Sequence, residues 1–160
     1  MAAISVAWEM GVPLNKIQLG VRKIQAVPHR MEIKKGFGNL TVIDDSFNSN
    51  PTGSKMALEV LASMDGYKVL VTPGMVELGD KQYDYNKAFG SYAAKAADYV
   101  ILVGEKQTKP IQDGLRDANY PEDQLFIAKD LNHAIEHIGT MNRPDAIILL
   151  ENDLPDTYNE

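Results

Sequence analysis

The sequence has no cysteine, a single tryptophan and only three histidines among its 160 residues. Without cysteine the chain can form neither a disulfide framework nor a cysteine-ligated metal site, and it has no thiol nucleophile. No apolar run approaches the ~20 residues of a membrane span. The N-terminus also lacks the basic segment and long apolar core of a signal peptide. We therefore expect a soluble, cytoplasmic protein without a membrane span.

Two nucleotide-binding motifs are also missing. No G-x-G-x-x-G follows the first predicted strand, and no G-x-x-x-x-G-K-[ST] occurs anywhere, so the chain has no phosphate-cradling loop of its own. The net charge of −6 argues against nucleic acid as a partner, since a phosphate backbone calls for a basic face. The 44% apolar and 24% charged content is that of a globular protein with room for one domain and a little more.

Short, nearly continuous apolar runs recur along the chain, as expected for strands that are buried on both faces. They cover residues 40–43, 69–71, 100–103, 125–128 and 146–150. Between them, apolar residues recur at helical spacing. This alternation predicts an α/β fold: a Rossmann-like open, mostly parallel sheet of about five to six strands with helices on both faces.

The N-terminal part has a different pattern. Apolar residues at helical spacing predict a helix through the first 25 residues, for which Pro13 suits a helix start and Pro28 suits the end. Residues 32–35 and 40–43 then flank a glycine-containing turn, which predicts a hairpin. We expect residues 32–35 to form an antiparallel strand at one edge of the sheet.

Ligands of open α/β sheets bind beyond the carboxyl ends of the strands. The corresponding predicted loops are 44–51, 72–80, 104–109 and 151–156. The first begins with two acids, Asp44 and Asp45, and allows three interpretations: a magnesium site of a receiver domain, a solvated strand end, or a ligand contact. A receiver also needs an aspartate after its third strand and a lysine after its fifth, and both are missing. A solvated strand end does not explain why two asparagines and a proline follow so closely.

His133 and His137 flank Glu136 in the order H-x-x-E-H, which matches the inverted zinc peptidases. The apolar stripe of the same helix includes Ile135 and Ile138, and at 100° per residue the histidines fall on the other side. Two histidines on a solvated face without a third ligand argue against a zinc site. We therefore expect no metal site within the chain.

Two segments carry a family resemblance. PHRME, residues 28–32, and VIDDSFNSNPTGSKMALEVL, residues 42–61, resemble the start of the C-terminal domain of Mur ligases, which join amino acids to the peptidoglycan precursor at the expense of ATP. PGMVELGD, residues 73–80, is similar to a loop of the type that adds D-alanyl-D-alanine. The likeness covers nearly the whole chain, and Arg30 and Asp45 at fixed separation are its most specific part.

The resemblance implies a domain division. Mur ligases have a domain for the UDP-sugar nucleotide, a central ATPase domain with the P-loop, and a C-terminal Rossmann-like domain. Residues 1–27 would be the C-terminal tail of the central domain and the hinge, and residues 28–160 the C-terminal domain. The missing P-loop would belong to the central domain. We therefore expect no catalytic residue within the chain alone, and no ATP hydrolysis by it.

The resemblance also implies a reaction. The intact enzyme would be an ATP-dependent amide ligase that adds an amino acid or dipeptide to a UDP-N-acetylmuramoyl-peptide through an acyl phosphate. Arg30 matches the arginine that reaches the ATP phosphates, Asp45 the acid at the nucleotide, and Asn48 the polar residue near the ribose and adenine. ATP and Mg²⁺ would be bound mainly by the central domain. Asp44 receives no role from the resemblance.

The sequence departs from the D-alanyl-D-alanine-adding type after the last strand. A basic loop is typical there, whereas this chain has the acidic run 151–156. An acidic loop should repel the carboxylate of an acceptor. The identity of the acceptor therefore stays undecided, and a paralogue with another substrate is an alternative. Glu77 and Asn152 are the candidate acceptor-side residues. The rival interpretation of the whole chain is a non-catalytic nucleotide-binding or receiver-like signalling module.

Overall fold

The computed structural model describes residues 2–25, 27–36 and 39–152. The α-helices are α1 (Ala2–Glu9), α2 (Leu14–Arg22), α3 (Pro51–Ser63), α4 (Gln82–Ala96), α5 (Lys109–Asp117) and α6 (Leu131–Thr140). The strands are β1 (Glu32–Lys35), β2 (Thr41–Asp45), β3 (Tyr67–Thr72), β4 (Tyr99–Val103), β5 (Leu125–Ala128) and β6 (Ala146–Glu151). None of the helices in these ranges is long and apolar enough to cross a bilayer.

All six strands belong to one sheet, in the order β1-β2-β6-β3-β4-β5. Five of them run parallel, and β1 pairs antiparallel with β2 at one edge. The predicted α/β fold, with five parallel strands and an antiparallel edge strand, is confirmed. Because β6 inserts between β2 and β3, the carboxyl ends of these three strands lie side by side. We call this end of the sheet the carboxyl edge.

Helices cover both faces of the sheet, because alternate strand residues point to opposite sides. Leu70 and Leu149 pack with residues of α3, α4 and α5 on one face. Val71 and Ile148 pack with α6 on the other. All four are at most 4% exposed, and burying a side chain of this size contributes ~1.5–3 kcal/mol each. Strands that are apolar on both faces thus require two helical layers, and these layers hold the carboxyl edge in place.

The N-terminal segment differs from its prediction, since it forms two helices rather than one. Gly11, two residues after the end of α1, has φ +76°, in the left-handed region that favours glycine. Pro13 directly precedes α2, and its missing N–H and the clash of its ring with a preceding helical turn disfavour a helix that runs through this point. Ile17 is the buried residue of α2, and α1 buries none of its described residues.

The acids assigned to the start of two loops belong to strands instead. Asp44 pairs with Glu32 of β1 on one side and with Leu150 of β6 on the other. Asp45 pairs with Glu151, the last residue of β6. Backbone pairing does not depend on side-chain polarity, so β2 and β6 continue past the end of their apolar runs. The loop after β2 therefore begins only at residue 46.

Candidate functional site

The predicted site residues lie on segments that adjoin the carboxyl edge. Arg30 precedes β1, whose antiparallel course starts at this end of the sheet. Asp45 ends β2 and Asn48 lies in the following loop, whereas Glu77 lies in the loop between β3 and α4. Asn152 follows β6, and its N–H donates to the carbonyl of Asp45 at 3.2 Å. The structure thus brings residues from four separate parts of the chain to one end of the sheet.

Arg30 and Asp45 are joined through the neighbouring residue. The N–H of Met31 donates to Asp45 Oδ1 at 3.0 Å. The guanidinium of Arg30 lies over the ring of Phe47, with its central carbon 4.3 Å from the ring centroid, a typical cation–π geometry. The side chains of Arg30 and Phe47 are both exposed. This guanidinium is accessible to an anionic ligand, and its planar array of donors suits a phosphate group.

The backbone on either side of Arg30 has an uncommon conformation. His29 has φ +59° and Met31 has φ +50°, both in the left-handed region. A residue with a side chain costs ~1 kcal/mol or more there, and persists only when its surroundings hold it. Part of that support is a hydrogen bond from the N–H of Phe47 to the carbonyl of His29, at 3.2 Å. We call His29, Arg30 and Met31 the arginine segment.

Asp44 is the centre of a second set of contacts with this segment. The residue is buried, and its Oδ2 accepts hydrogen bonds from Lys34 Nζ at 2.6 Å and from His29 Nδ1 at 2.9 Å. Its Oδ1 accepts from the hydroxyl and the N–H of Ser46, at 2.6 and 3.2 Å. Burial alone would raise the pKa of Asp44, but the hydrogen bonds from Lys34, Ser46 and His29 outweigh it and lower the pKa to about 2. Asp44 is therefore a carboxylate at neutral pH.

Asn50 and Pro51 have a structural explanation. Oδ1 of Asn50 accepts from the N–H groups of Thr52 and Gly53, at 3.2 and 2.9 Å, and so caps α3. Pro51 occupies the first helical position, where its missing N–H has no consequence. Asn48 is exposed and takes no part in this cap. Its side chain is therefore accessible to a ligand, and its role toward a nucleotide stays a prediction.

The predicted acceptor-side residues differ in accessibility. Glu77 is exposed and has φ +61°. Asn152 is buried, and its Nδ2 donates to the carbonyl of Gly74 at 2.6 Å. This bond joins the end of β6 to the loop after β3. In this structure Asn152 contributes to the architecture of the carboxyl edge, whereas Glu77 points to solvent.

Glu151 is a buried acid, although its sequence context predicts a repulsive surface loop. It is 1% exposed, and its carboxyl group accepts hydrogen bonds from the hydroxyls of Ser49 and Thr72, the latter at 2.9 Å. Burial raises the pKa of Glu151 to about 7, against the opposing effect of the two hydroxyls. Glu151 is therefore not part of an acidic surface that would repel the carboxylate of an acceptor. Asp153 and Asp156, which complete that acidic run, lie outside the described residues.

The two histidines of α6 do not lie on a solvated face, which corrects their predicted position. His137 stacks on the ring of Phe126 with the centroids 3.7 Å apart, and its Nε2 is 2.9 Å from the hydroxyl of Tyr99. His133 makes an edge contact with the same phenylalanine, while Ile135 is 55% exposed. The helix is rotated toward the aromatic side chains of β4 and β5. Among the described residues, no group of three or more potential ligands could hold a metal ion.

Comparison with known proteins gives this edge a family context. The model of the family described as Mur ligase, glutamate ligase domain, matches residues 29–151. The chain belongs to the Mur ligase family. The resemblance stated from the two sequence segments is thereby confirmed, and the match begins at the arginine segment and ends at Glu151.

Two relatives within the Mur ligase family are UDP-N-acetylmuramoyl-tripeptide–D-alanyl-D-alanine ligases that share about a third of the aligned residues with this chain. The UDP-N-acetylmuramoyl-tripeptide–D-alanyl-D-alanine ligase of Escherichia coli (strain K12) is 37% identical over 108 residues, which are 66% of this chain and 24% of that protein. The corresponding ligase of Buchnera aphidicola (subsp. Acyrthosiphon pisum, strain APS) is 33% identical over 110 residues, or 68% of this chain and 24% of that protein. The chain thus spans about a quarter of the length of these relatives.

Solved structures agree on the fold. A structure of MurF from Acinetobacter baumannii superposes with a TM-score of 0.77 at 26% identity, covering 98% of this chain and 34% of that one. A MurF ligase from Thermotoga maritima in complex with ADP gives a TM-score of 0.76 at 18% identity, covering 95% and 33%. The second supports the fold alone. Both superpositions cover nearly the whole of this chain.

Proposed function

We propose that this chain is the C-terminal part of an ATP-dependent amide ligase of peptidoglycan precursor synthesis. The observation that carries the proposal is the Mur ligase match over residues 29–151, and the exposed guanidinium of Arg30 over Phe47, near the start of the matched range, supports it. The 37% identity to an enzyme named for D-alanyl-D-alanine addition supports the same substrate class. The reaction would take place in the cytoplasm.

The proposed domain division follows the earlier expectation. Residues 28–160 would form the C-terminal domain, and residues 1–27 the tail of the preceding ATPase domain together with the hinge. Two features support this division. The family match starts at residue 29, and residues 2–22 leave large apolar side chains exposed, including Trp8 of α1 at 58% and Met10 of the turn after it at 78%. Apolar side chains in such numbers are typical of a surface that another part of the protein covers.

The reaction would join a carboxylate to an amine. The terminal carboxylate of a UDP-N-acetylmuramoyl-peptide would attack the γ-phosphorus of ATP and release ADP, leaving an acyl phosphate. The amine of the incoming dipeptide would then attack the acyl carbon, and collapse of the tetrahedral intermediate would give the amide, phosphate and a proton. Closure of the domain over the ATPase site would exclude water from the acyl phosphate.

The described residues fit one wall of an ATP site. The exposed guanidinium of Arg30 would contact the phosphates, since it is charged and held over Phe47. Asp45 and the exposed Asn48 would face the nucleoside. Mg²⁺ would be held mainly by the preceding domain, because the described residues contain no cluster of acids suited to it. On the acceptor side, Glu77 is available to a ligand, and Asn152 would act by fixing the neighbouring backbone.

The test compares two arginines in the full-length protein. Arg143 is a matched control, because it is exposed and lies over Tyr67, 4.4 Å from the ring centroid, at the opposite end of the sheet. We expect Arg30→Ala to lower kcat for ATP-dependent phosphate release by ~10²–10³ with UDP-N-acetylmuramoyl-tripeptide and D-alanyl-D-alanine present. Arg143→Ala should keep wild-type turnover.

Equal turnover in the two variants would contradict the proposed role of Arg30. Wild-type protein that releases no phosphate with any of a panel of single amino acids and dipeptides would contradict the ligase assignment itself. In that case a non-catalytic nucleotide-binding module becomes the better description, and a binding assay with ATP and ADP distinguishes it from a protein that binds neither.

A further inference from the structure

We propose that Asp44 is a positioning residue that acts through the arginine segment to hold Arg30 toward its ligand. This inference rests on the proposed function, in which Arg30 contacts the phosphates of ATP. The resemblance to Mur ligases gives Asp44 no role, and its burial keeps it from contacting a nucleotide directly. The structure assigns it a role through its neighbours.

The arginine segment needs external support. His29 and Met31, one on each side of Arg30, both have positive φ values, which neither side chain favours. A segment of this kind keeps one conformation only where other contacts over-determine it. Without them Arg30 would sample several orientations, and its average distance from a bound phosphate would change.

Strand β2 and the residues after it supply this support on both sides of Arg30. Asp44 holds the imidazole of His29 at 2.9 Å, and Asp45 accepts the N–H of Met31 at 3.0 Å. Two adjacent acids thus hold the two residues that flank one arginine. Phe47, two residues farther along, donates its N–H to His29 and lies under the guanidinium.

Asp44 is itself firmly held. Lys34 and Ser46 satisfy its remaining hydrogen-bonding capacity, and Lys34 belongs to β1, directly after the arginine segment. Since a carboxylate only accepts hydrogen bonds, Nδ1 of His29 must donate to it. Asparagine at this position would present an amide N–H₂ toward these donors in place of Oδ2, so Asp44→Asn should release His29 while preserving the size of the side chain.

A double-mutant cycle in the full-length protein tests the coupling. We expect Asp44→Asn to lower kcat/KM for ATP by ~10-fold or more, because small displacements of a ligand-contacting group have large kinetic effects. The loss should be smaller than that of Arg30→Ala. In the Arg30→Ala background, Asp44→Asn should cause no further loss, since its effect passes through the arginine. His29→Ala should reproduce the effect of Asp44→Asn, and His29→Asn should restore part of it, because asparagine tolerates a positive φ.

Asp113→Asn is the matched control. Asp113, on α5, is partly buried, accepts a hydrogen bond from the hydroxyl of Tyr83 and pairs with Arg116. The substitution Asp113→Asn therefore removes contacts similar to those that Asp44→Asn removes. Its effect on kcat/KM should be the same in the wild-type and Arg30→Ala backgrounds. Additive losses for Asp44→Asn and Arg30→Ala, or a lower melting temperature with unchanged ATP kinetics, would overturn the positioning role while leaving the ligase assignment intact. An inactive wild-type protein would overturn both. Because His29 is exposed, its variants give a result even if Asp44→Asn does not fold.

Discussion

At the scale of single residues, Glu151 shows how the fold changes the chemistry of a side chain. It is the last residue of β6, which lies between β2 and β3, and the hydroxyls of Ser49 and Thr72 are its hydrogen-bond partners. Few acids are this deeply buried without a cation beside them. Burial raises its pKa to about 7, from an ordinary value of 4.5. The folded chain therefore retains a proton on Glu151 at pH values at which the unfolded chain has lost it.

The sign of the resulting pH dependence follows from this retained proton. Between pH 4.5 and about 7 the folded state binds more protons than the unfolded state, so the free energy of unfolding decreases as the pH rises. The loss attributable to Glu151 is at most ~3 kcal/mol. We expect Glu151→Gln to lack this decrease and to exceed the wild-type stability at pH 8. Urea unfolding at pH 5, 6, 7 and 8 measures the difference.

Other titrating groups also contribute to the dependence of the free energy of unfolding on pH, but their contributions cancel when the variant is compared with the wild type. His137 is one of them, since burial and then the nearby His133 lower its pKa, and its contribution to stability is lost as the pH falls below 6.5. Glu136→Gln, on the exposed side of α6, is the control and should keep the wild-type slope. If Glu151→Gln also keeps that slope, Glu151 is not the buried acid that the structure describes.

The residues of the candidate site were predictable to different degrees. Arg30 and Asp45 could be singled out because each lies in a short motif at fixed separation, and the structure joins them through Met31. The roles of Asp44 and Glu151 could not be predicted, because each depends on which strands lie next to β2 and β6. The one available signal for Glu151 was its position directly after a run of five apolar residues, with no turn residue between.

At the scale of secondary-structure elements, α4 and α5 pack in unusually close contact. An added Cβ on Gly114 of α5 would lie 2.0 Å from the carbonyl oxygen of Lys87 on α4. An added Cβ on Gly90 of α4 would lie 2.3 Å from the carbonyl oxygen of Ile111 on α5. Backbone atoms cannot yield as a flexible side chain can. The two glycines therefore fix the distance between the two helices.

We expect Gly114→Ala to destabilise the chain by ~2–3 kcal/mol, because the helices must separate and lose apolar contacts. Gly139→Ala is the matched control. Gly139 is a helical glycine of α6 with no atom near its added Cβ, so alanine there should be neutral or stabilise the chain by up to ~1 kcal/mol. Thermal unfolding of both variants measures the contrast. A Gly114→Ala variant as stable as Gly139→Ala would rule out the close packing of α4 on α5.

The helices also show how far periodicity predicts orientation. The apolar spacing located α6 correctly but assigned its buried face to the side of Ile135. The helix instead turns His137 inward, because Phe126 and Tyr99 offer it a stacking surface and a hydrogen bond. A histidine is compatible with either face, so its environment depends on which strand residues lie opposite. That information belongs to the tertiary structure.

At the scale of the whole molecule, the alternation of apolar runs and helical stripes was sufficient to predict the class of fold. It was not sufficient for the strand order, since the return of β6 to a position between β2 and β3 is a long-range choice. That order creates the candidate site by bringing Asp45, Thr72 and Glu151 to neighbouring strand ends. The N-terminal helices bury little within this chain, which fits the proposal that the rest of the protein covers them.

The most direct measurement is the mass of the product formed by the full-length protein. With ATP, UDP-N-acetylmuramoyl-tripeptide and D-alanyl-D-alanine, we expect the nucleotide-linked peptide to gain the mass of one dipeptide less one water. ADP and phosphate should form in equal amounts. The chain of 160 residues alone, given the same mixture, should form no product and release no phosphate, because it has no phosphate-cradling loop. Full-length protein that gives no ATP-dependent product with any acceptor, or phosphate release by the chain alone, would contradict the proposal that this is one domain of an amide ligase.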